Sequence, residues 1–337
     1  GATNASAGVH IACQDSTPMV LLIGQVSRDQ ADREAFQEID YRQMYAPLAK
    51  WVAQIETTSR IPEYISRAYH IATSGRPGPV VIALPEDLLQ EKVLVDDIPP
   101  YTTQGTYPSK TQMKVFSATL SKAKRPLVIV GGEGWDSDAC SKLEQFATTW
   151  NIPVATSFRA QDRINNNNTN YVGDVGIGIN PKLAQNIKHA DLIICIGARL
   201  GEITTSNYTL IKNSSSTQKL VHIYSQEEEL GRVYVPYLGI HAGVKQFLEM
   251  AVSLSILPGK WNEWTSSTRT DYVSWSEYAT KTPGKLNLGN IIIWLRNNIP
   301  HDSIICNGAG NFSAWLHRFY RYPIYRTQLA PTSGSMG

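Results

Sequence analysis

Apolar residues along this chain fall into two kinds of run. Short unbroken blocks occupy residues 18–23, 79–84 (PVVIAL), 126–130 (PLVIV), 192–197 (LIICIG) and 220–223, with a smaller one at 153–155. Each is too brief for a helix and is bounded by proline, glycine or polar residues, so each is predicted to be a buried strand. Between the blocks, apolar residues recur at helical spacing. Ile61, Ile65, Ala68 and Ala72 mark a helix over 61–74, with Pro62 near its start and Gly75 just past its end. Met113, Phe116 and Leu120 mark one over 112–123, and Ala139, Leu143, Phe146 and Trp150 another over 138–150. A further helix is expected over 181–189, where Asn180 can cap and Pro181 takes the first position. Residues 287–298 read as helix and 303–306 as strand. Unbroken strands separated by helices predict parallel sheets covered on both faces, an α/β fold of the doubly wound type.

The chain opens with Gly1-Ala2-Thr3-Asn4, a turn, followed by small residues that suit a short helix before the first strand. Residues 93–108 shift to Asp, Pro, Thr and Gly, the composition of a linker. The predicted organisation is a first domain over 1–95, a linker over 96–110 and a central α/β domain over 111–255. A connecting segment that packs on the surface, 256–285, then leads to a last domain starting at 286 and running to 337. At 337 residues and 42% apolar, the chain can bury sizeable cores. Its net charge of +2 arises from 31 basic and 29 acidic residues spread without a basic stripe, so nucleic acid is not an expected partner. No apolar run approaches the ~20 residues that cross a bilayer, and no membrane partner is expected. Cys13, Cys140, Cys195 and Cys306 lie far apart without metal-type spacing. They read as buried reduced thiols of a cytoplasmic protein, and no metal ligands are named among the residues.

Three glycine-rich turns are candidates for chemistry. Gly131-Gly132-Glu133-Gly134 follows a strand, as a pyrophosphate-binding turn does, but lacks the G-x-G-x-x-G spacing, and a plain strand-to-helix turn accounts for it. Gly308, Gly310 and Asn311 follow the 303–306 strand and can present backbone N–H groups to a diphosphate. Residues 329–337, LAPTSGSMG, taken alone are a glycine turn with one buried methionine.

Taken together, several stretches are similar to the acetolactate synthase group of thiamine diphosphate enzymes. They are residues 1–26, Ala35-Phe36-Gln37-Glu38-Ile39-Asp40, residues 72–79 (ATSGRPGP), Ala190-Asp191-Leu192 through Gly197-Ala198-Arg199, and the closing stretch. They follow the family's order across essentially the whole chain. The resemblance implies thiamine diphosphate and Mg2+ as cofactors and a 2-oxo acid as substrate. The implied reaction is decarboxylation with transfer of the acyl-anion equivalent to an acceptor carbonyl. It also implies roles for single positions. Asn4 would lie near the aminopyrimidine, and Phe36 and Gln37 would be catalytic residues lining the pocket where the 2-oxo acid reacts. Gly308, Gly310, Asn311, Gly334 and Ser335 would hold the cofactor, with Met336 as the hydrophobic wedge that bends it. A homodimer or homotetramer is implied, because in the family the first domain of one subunit faces the diphosphate domain of another.

The same resemblance places the start of these residues partway through the first domain and their end at the threshold of the last. The family's activating glutamate would precede them and its Gly-Asp-Gly…Asn magnesium motif would follow, so the 337 residues alone are expected not to turn over substrate.

Three departures bear on specificity. Leu84-Pro85-Glu86-Asp87 stands where the family has Leu-Pro-Lys-Asp, and Ile203 stands where a second arginine receives the second 2-oxo acid. An isoleucine cannot pair with a carboxylate. Residues 173–178 (GDVGIG) replace the family's Met-His-Gly flavin segment, which leaves FAD a possible but disfavoured cofactor. Arg76, which contacts flavin in some members, closes a domain-exit turn in others. The sequence therefore supports an acetolactate synthase-like carboligase with a different acceptor. It leaves open a non-ligating 2-oxo acid decarboxylase and a non-catalytic paralogue acting as a binding module.

Overall fold

The computed structural model describes residues 1–99, 101–213, 217–255 and 259–335. The chain divides into two compact units, Gly1–Gln104 and Gly105–Gly337.

In the first unit the elements run α1 (Ser6–Asp15), β1 (Met19–Gln25), α2 (Tyr41–Tyr45), β2 (Trp51–Gln54), α3 (Ile61–Thr73) and β3 (Pro79–Pro85). The strands form a parallel sheet in the order β1-β3-β2. Residues of β3 alternate between two cores, as the strand period of two requires. Val80 and Ile82 pack with Ala68 and Ala72 of α3, while Val81 and Ala83 pack with Val9, Tyr41 and Tyr45. β1 departs from expectation. It was expected to be buried, yet it pairs with β3 alone among the described residues, and Leu22 is 52% exposed. An unbroken apolar run marks a strand with two apolar faces and does not report how many neighbours it has.

The second unit is built on a six-stranded parallel sheet. Its elements begin α4 (Lys110–Lys122), β4 (Pro126–Val130), α5 (Ser137–Trp150), β5 (Val154–Thr156), β6 (Tyr171–Asp174), α6 (Pro181–His189), β7 (Leu192–Ile196), β8 (Lys219–Tyr224), β9 (Leu238–His241) and α7 (Val244–Ala251). The strand order is β6-β5-β4-β7-β8-β9, so the winding reverses between β4 and β7. Val128, Val130, Ile194 and Ile196 face one core with Phe116, Phe146 and Phe247. Leu127, Ile129, Ile193 and Cys195 face the other with Leu183 and Ile187 of α6. Helix starts are fixed by side chains that satisfy orphan N–H groups. Ser109 and Gln112 form a reciprocal capping box on α4. Asp136 accepts from Ala139 N–H at 2.7 Å, and Asn180 accepts from Lys182 N–H at 3.0 Å.

The same unit continues through α8 (Asn262–Ser276), α9 (Leu288–Asn298), β10 (Ile305–Cys306), α10 (Phe312–Phe319) and β11 (Gln328–Leu329). β10 and β11 pair in parallel, and Ile292 of α9 packs on Leu316 and Phe319 of α10. The 256–285 stretch, read from sequence as a connecting segment, contains the fifteen-residue helix α8. The face it buries is polar, Thr265, Thr268, Tyr272 and Ser276, so no apolar periodicity announces it. Its hydroxyls are satisfied by carbonyls: Thr265 Oγ1 donates to Asn151 O at 2.6 Å and Ser276 Oγ to Tyr272 O at 3.0 Å.

Phe247 is fully buried and meets Phe116 edge to face at 5.3 Å between ring centroids. Phe247→Ala is expected to lower the unfolding free energy by about 3–5 kcal/mol in urea titrations, from lost transfer energy and the cavity left behind. Leu22→Ala, at the half-exposed strand edge, is expected to cost much less.

Candidate functional site

In the first unit, residues Ala2–Ala5 form a single helical turn, with Asn4 N–H donating to Gly1 O at 3.1 Å. The Tyr45 hydroxyl anchors this turn by donating to Ala2 O. The turn walls a recess of about 580 Å³ lined also by Leu21, Ile23, Gln37, Ile39 and Tyr41. Gln37 is held in the left-handed region, φ 74°, within a loop that Glu38 organises by accepting from Asp32 N–H at 2.6 Å and Ala35 N–H at 3.1 Å. Those backbone donors, Asp32 first, hold the Glu38 carboxyl below its ordinary pKa. Of the residues expected here, Gln37 lines the recess. Asn4 is exposed on the same turn without lining it, and Phe36 is 89% exposed.

Beside the departing Glu86, Asp87, which the family shares, has a structural task. Asp87 accepts from Arg28 Nε at 2.6 Å and from Arg28 N–H at 3.0 Å, while Arg28 also donates to Glu56 O at 2.6 Å. Arg76 reaches back to Ser16 Oγ at 2.8 Å and to Cys13 O, which ties the turn after α3 to the end of α1. Lys50 Nζ donates to the carbonyls of Ile71, Ser74 and Arg76 at 2.5–2.8 Å, placing a cation at the carbonyl end of α3.

In the second unit, the turn after β10 lies open. Gly308, Gly310 and Asn311 are exposed, Gly310 has φ 146°, and a Cβ on Gly308 would meet nothing within 4 Å. α10 begins at once, with Ser313 N–H on Gly310 O at 3.0 Å. Asn307 Oδ1 is buried without a hydrogen-bond partner among the described residues. The turn after β11 is closed by Gly334 N–H on Pro331 O at 3.1 Å, with Gly334 at φ 77°. A Cβ on Gly334 would meet Ile203 Cδ1 at 3.4 Å, so Ile203 borders this turn. Ser335 is half-buried, and Met336 lies outside the described residues.

Arg159 joins the two turns: Nη2 donates to Gly308 O at 2.9 Å and Nη1 to Pro331 O at 2.7 Å. Beside it His317 is buried, packed edge to face on Phe158 at 5.3 Å, with neither ring nitrogen hydrogen-bonded among the described residues. Burial, and next the Arg159 charge, press its pKa down to about 4.

At the winding reversal, Gly131 and Gly132 press against Gly197. A Cβ on Gly132 would stand 1.9 Å from Gly197 O. Trp135, nearly buried, donates its indole N–H to Gly131 O at 2.9 Å. The loops leaving β4 and β7 thus meet in close backbone contact at the winding reversal, the place where open α/β sheets commonly bind nucleotides. The cysteines depart in part from expectation: Cys140 and Cys195 are buried, Cys13 is half-buried and Cys306 is exposed at the end of β10. Burial pushes the Cys140 thiol up to about 12. No group of three or more His, Cys, Asp or Glu able to hold a metal occurs among the described residues, and no helix there is long and apolar enough to cross a membrane.

Residues 114–251 match the family model for the thiamine pyrophosphate enzyme central domain, and residues 1–44 match that for the N-terminal TPP binding domain. The chain belongs to the thiamine pyrophosphate enzymes. The probable acetolactate synthase large subunit of Methanococcus aeolicus is 33% identical over 256 residues, 71% of this chain and 41% of that protein. The acetolactate synthase large subunit of Corynebacterium glutamicum is 28% identical over 347 residues, 100% of this chain and 54% of that protein. That of Haemophilus influenzae is 30% identical over 281 residues, 82% and 48%. The chain spans about half the length of the curated relatives it matches. For this family's cofactor, the turn after β10 fits a diphosphate on its Gly308 side, where a Cβ would meet nothing within 4 Å; at Gly310 the Phe312 ring lies close, 2.9 Å from where a Cβ would stand, and the turn leads into an eight-residue helix N-terminus.

Because His317 is pressed below the ordinary 6.5, the unfolded chain takes the proton more readily than the folded one. The stability it contributes is full above pH 6.5 and lost as pH falls to about 4. His317→Phe is expected to flatten this acid limb by about 3 kcal/mol in urea midpoints measured across that window.

Proposed function

We propose that this chain is part of a thiamine diphosphate-dependent enzyme that decarboxylates a 2-oxo acid and passes the acyl-anion equivalent to an acceptor carbonyl. The observation that carries the reading is the solvent-open turn Gly308–Asn311 at the start of α10, in a chain whose two domain matches are both to thiamine pyrophosphate enzymes. Thiamine diphosphate, when bound, supplies the electron sink for decarboxylation. The chain's own residues supply position and environment. Gly308, Gly310 and Asn311 would hold the diphosphate, with Gly334, Ser335 and Met336 at the second turn. Gln37 offers an amide donor and acceptor at a recess lined in part by the apolar Leu21, Ile23 and Ile39. Asn4 would lie near the aminopyrimidine and Phe36 would act with Gln37 where the 2-oxo acid reacts, although neither Asn4 nor Phe36 lines the recess in this chain; the recess and the turns belong to different compact units.

Ile203 beside Gly334 favours an acceptor without a carboxylate, an aldehyde before a second 2-oxo acid. It equally suits a decarboxylase that protonates its product without ligation. Mg2+ would be held by residues other than those described, and flavin is not part of the proposal. The working assembly is a cytoplasmic homodimer or homotetramer with domains as read from the sequence.

The protein expressed from its complete reading frame, given Mg2+, thiamine diphosphate and pyruvate with or without acetaldehyde, is expected to yield acetoin in excess of acetolactate. Acetaldehyde as the sole product would leave decarboxylation and remove the transfer step. Failure to bind thiamine diphosphate in calorimetry would sink the enzyme reading. The purified protein is expected to be colourless, and a flavin absorbance band would overturn the flavin-free reading.

A further inference from the structure

Arg159 is 3% exposed and holds the left-handed backbone conformation, φ 57°, which a residue with a Cβ adopts only when its surroundings impose it. Its guanidinium lies 4.7 Å over the Phe158 ring and forks between two carbonyls, Gly308 O at 2.9 Å and Pro331 O at 2.7 Å. These carbonyls are 149 and 172 residues away in sequence, one on the turn after β10 and one on the turn after β11.

Docking of β11 onto this segment does not need the arginine. Gln161 N–H donates to Gln328 Oε1 at 2.8 Å, Gln328 Nε2 donates to Gln161 Oε1 at 3.1 Å, and Ile305 N–H donates to Thr327 O at 2.8 Å. The first two bonds tie β11 to this segment, and the third, with the parallel pairing of Ile305 to Gln328 and Cys306 to Leu329, belongs to the β10–β11 register. Among the contacts described, the arginine's two carbonyl partners lie beyond the strand ends, on the turns.

What it does there follows from peptide geometry. In a trans peptide the C=O and the following N–H point in opposite directions. With the Gly308 carbonyl turned to Arg159, the Ala309 N–H points away from it, and with the Pro331 carbonyl so turned, the Thr332 N–H does the same. Both carbonyls have a second donor that reinforces the orientation, Asn307 Nδ2 on Gly308 O at 3.0 Å and Gly334 N–H on Pro331 O. The planar fork suits two acceptors held at a fixed separation, which a lysine ammonium cannot bridge in the same way.

We propose that Arg159 is a positioning residue that locks the two turns with the Ala309 and Thr332 N–H groups facing outward, as donors for the diphosphate of the bound cofactor. The role rests on the thiamine diphosphate reading above. It is tested on the protein from its complete reading frame, by titrating thiamine diphosphate and, separately, inorganic pyrophosphate with Mg2+, and by thermal unfolding without ligand. Arg159→Gln is expected to weaken both ligands by the same factor, about 10- to 100-fold, as two charge-assisted hydrogen bonds are lost. Arg159→Lys, which reaches one carbonyl, is expected to fall between, and it carries the test if Arg159→Gln does not fold. Affinities equal to wild type in the folded variants, whatever the unfolding temperature does, would overturn the role of Arg159 alone. Wild-type protein that binds neither ligand would overturn the thiamine diphosphate reading, and this role with it.

Discussion

A parallel strand with helices on both sides has no face for water, and the second unit follows from that constraint. β4 and β7 are buried at every position, so each must be apolar throughout and flanked by covered strands. The sheet grows outward from this pair in opposite directions, through β5 and β6 on one side and β8 and β9 on the other. Where the winding reverses, the loops leaving β4 and β7 meet so closely that only glycine can stand there. Gly132 and Gly197, both at positive φ, have no room for a side chain. The junction that organises the sheet is thus a backbone-to-backbone contact at the switch in winding.

The central strands and their covering helices were legible because burial on both faces leaves a dense apolar signal. β4 and β7 sit at or within one residue of the blocks read from sequence, and α6 starts at Pro181 with Asn180 as its cap, as its composition indicates. Peripheral elements were not legible. β2, β6 and β9 are four-residue strands with mixed burial or glycine inside them, Trp51–Gln54, Tyr171–Asp174 and Leu238–His241. Such runs are too short for a period to emerge. α8 escaped because its buried face is made of hydroxyls, whose cost of burial is met by backbone carbonyls that no sequence pattern displays.

The site was legible to the degree that it is made of backbone. Glycine turns declare themselves by composition, and Gly308, Gly310 and Gly334 are found in exposed or positive-φ positions. Gln37 declared itself by similarity to a known family and is found lining a recess. The side chains that brace these features left no mark. Arg28, Lys50 and Arg159 each donate to carbonyls or carboxylates distant in the chain, and an arginine or lysine in a sequence reads first as surface charge.

The electrostatics behind the two turns are simpler than the residue list suggests. A buried guanidinium and an imidazole in one neighbourhood would repel if both were charged, and burial alone already disfavours a second cation. His317 resolves this by staying neutral, its pKa pressed down to about 4. Phe158 contacts both, its ring nearly perpendicular to the imidazole and beneath the guanidinium. At neutral pH the space behind the turns therefore holds one fixed positive charge from this pair, which donates to the Gly308 and Pro331 carbonyls. The charge acts through aligned peptide dipoles: carbonyls drawn inward leave amide hydrogens facing outward, which favours an anion on the open side without requiring any side chain to reach it.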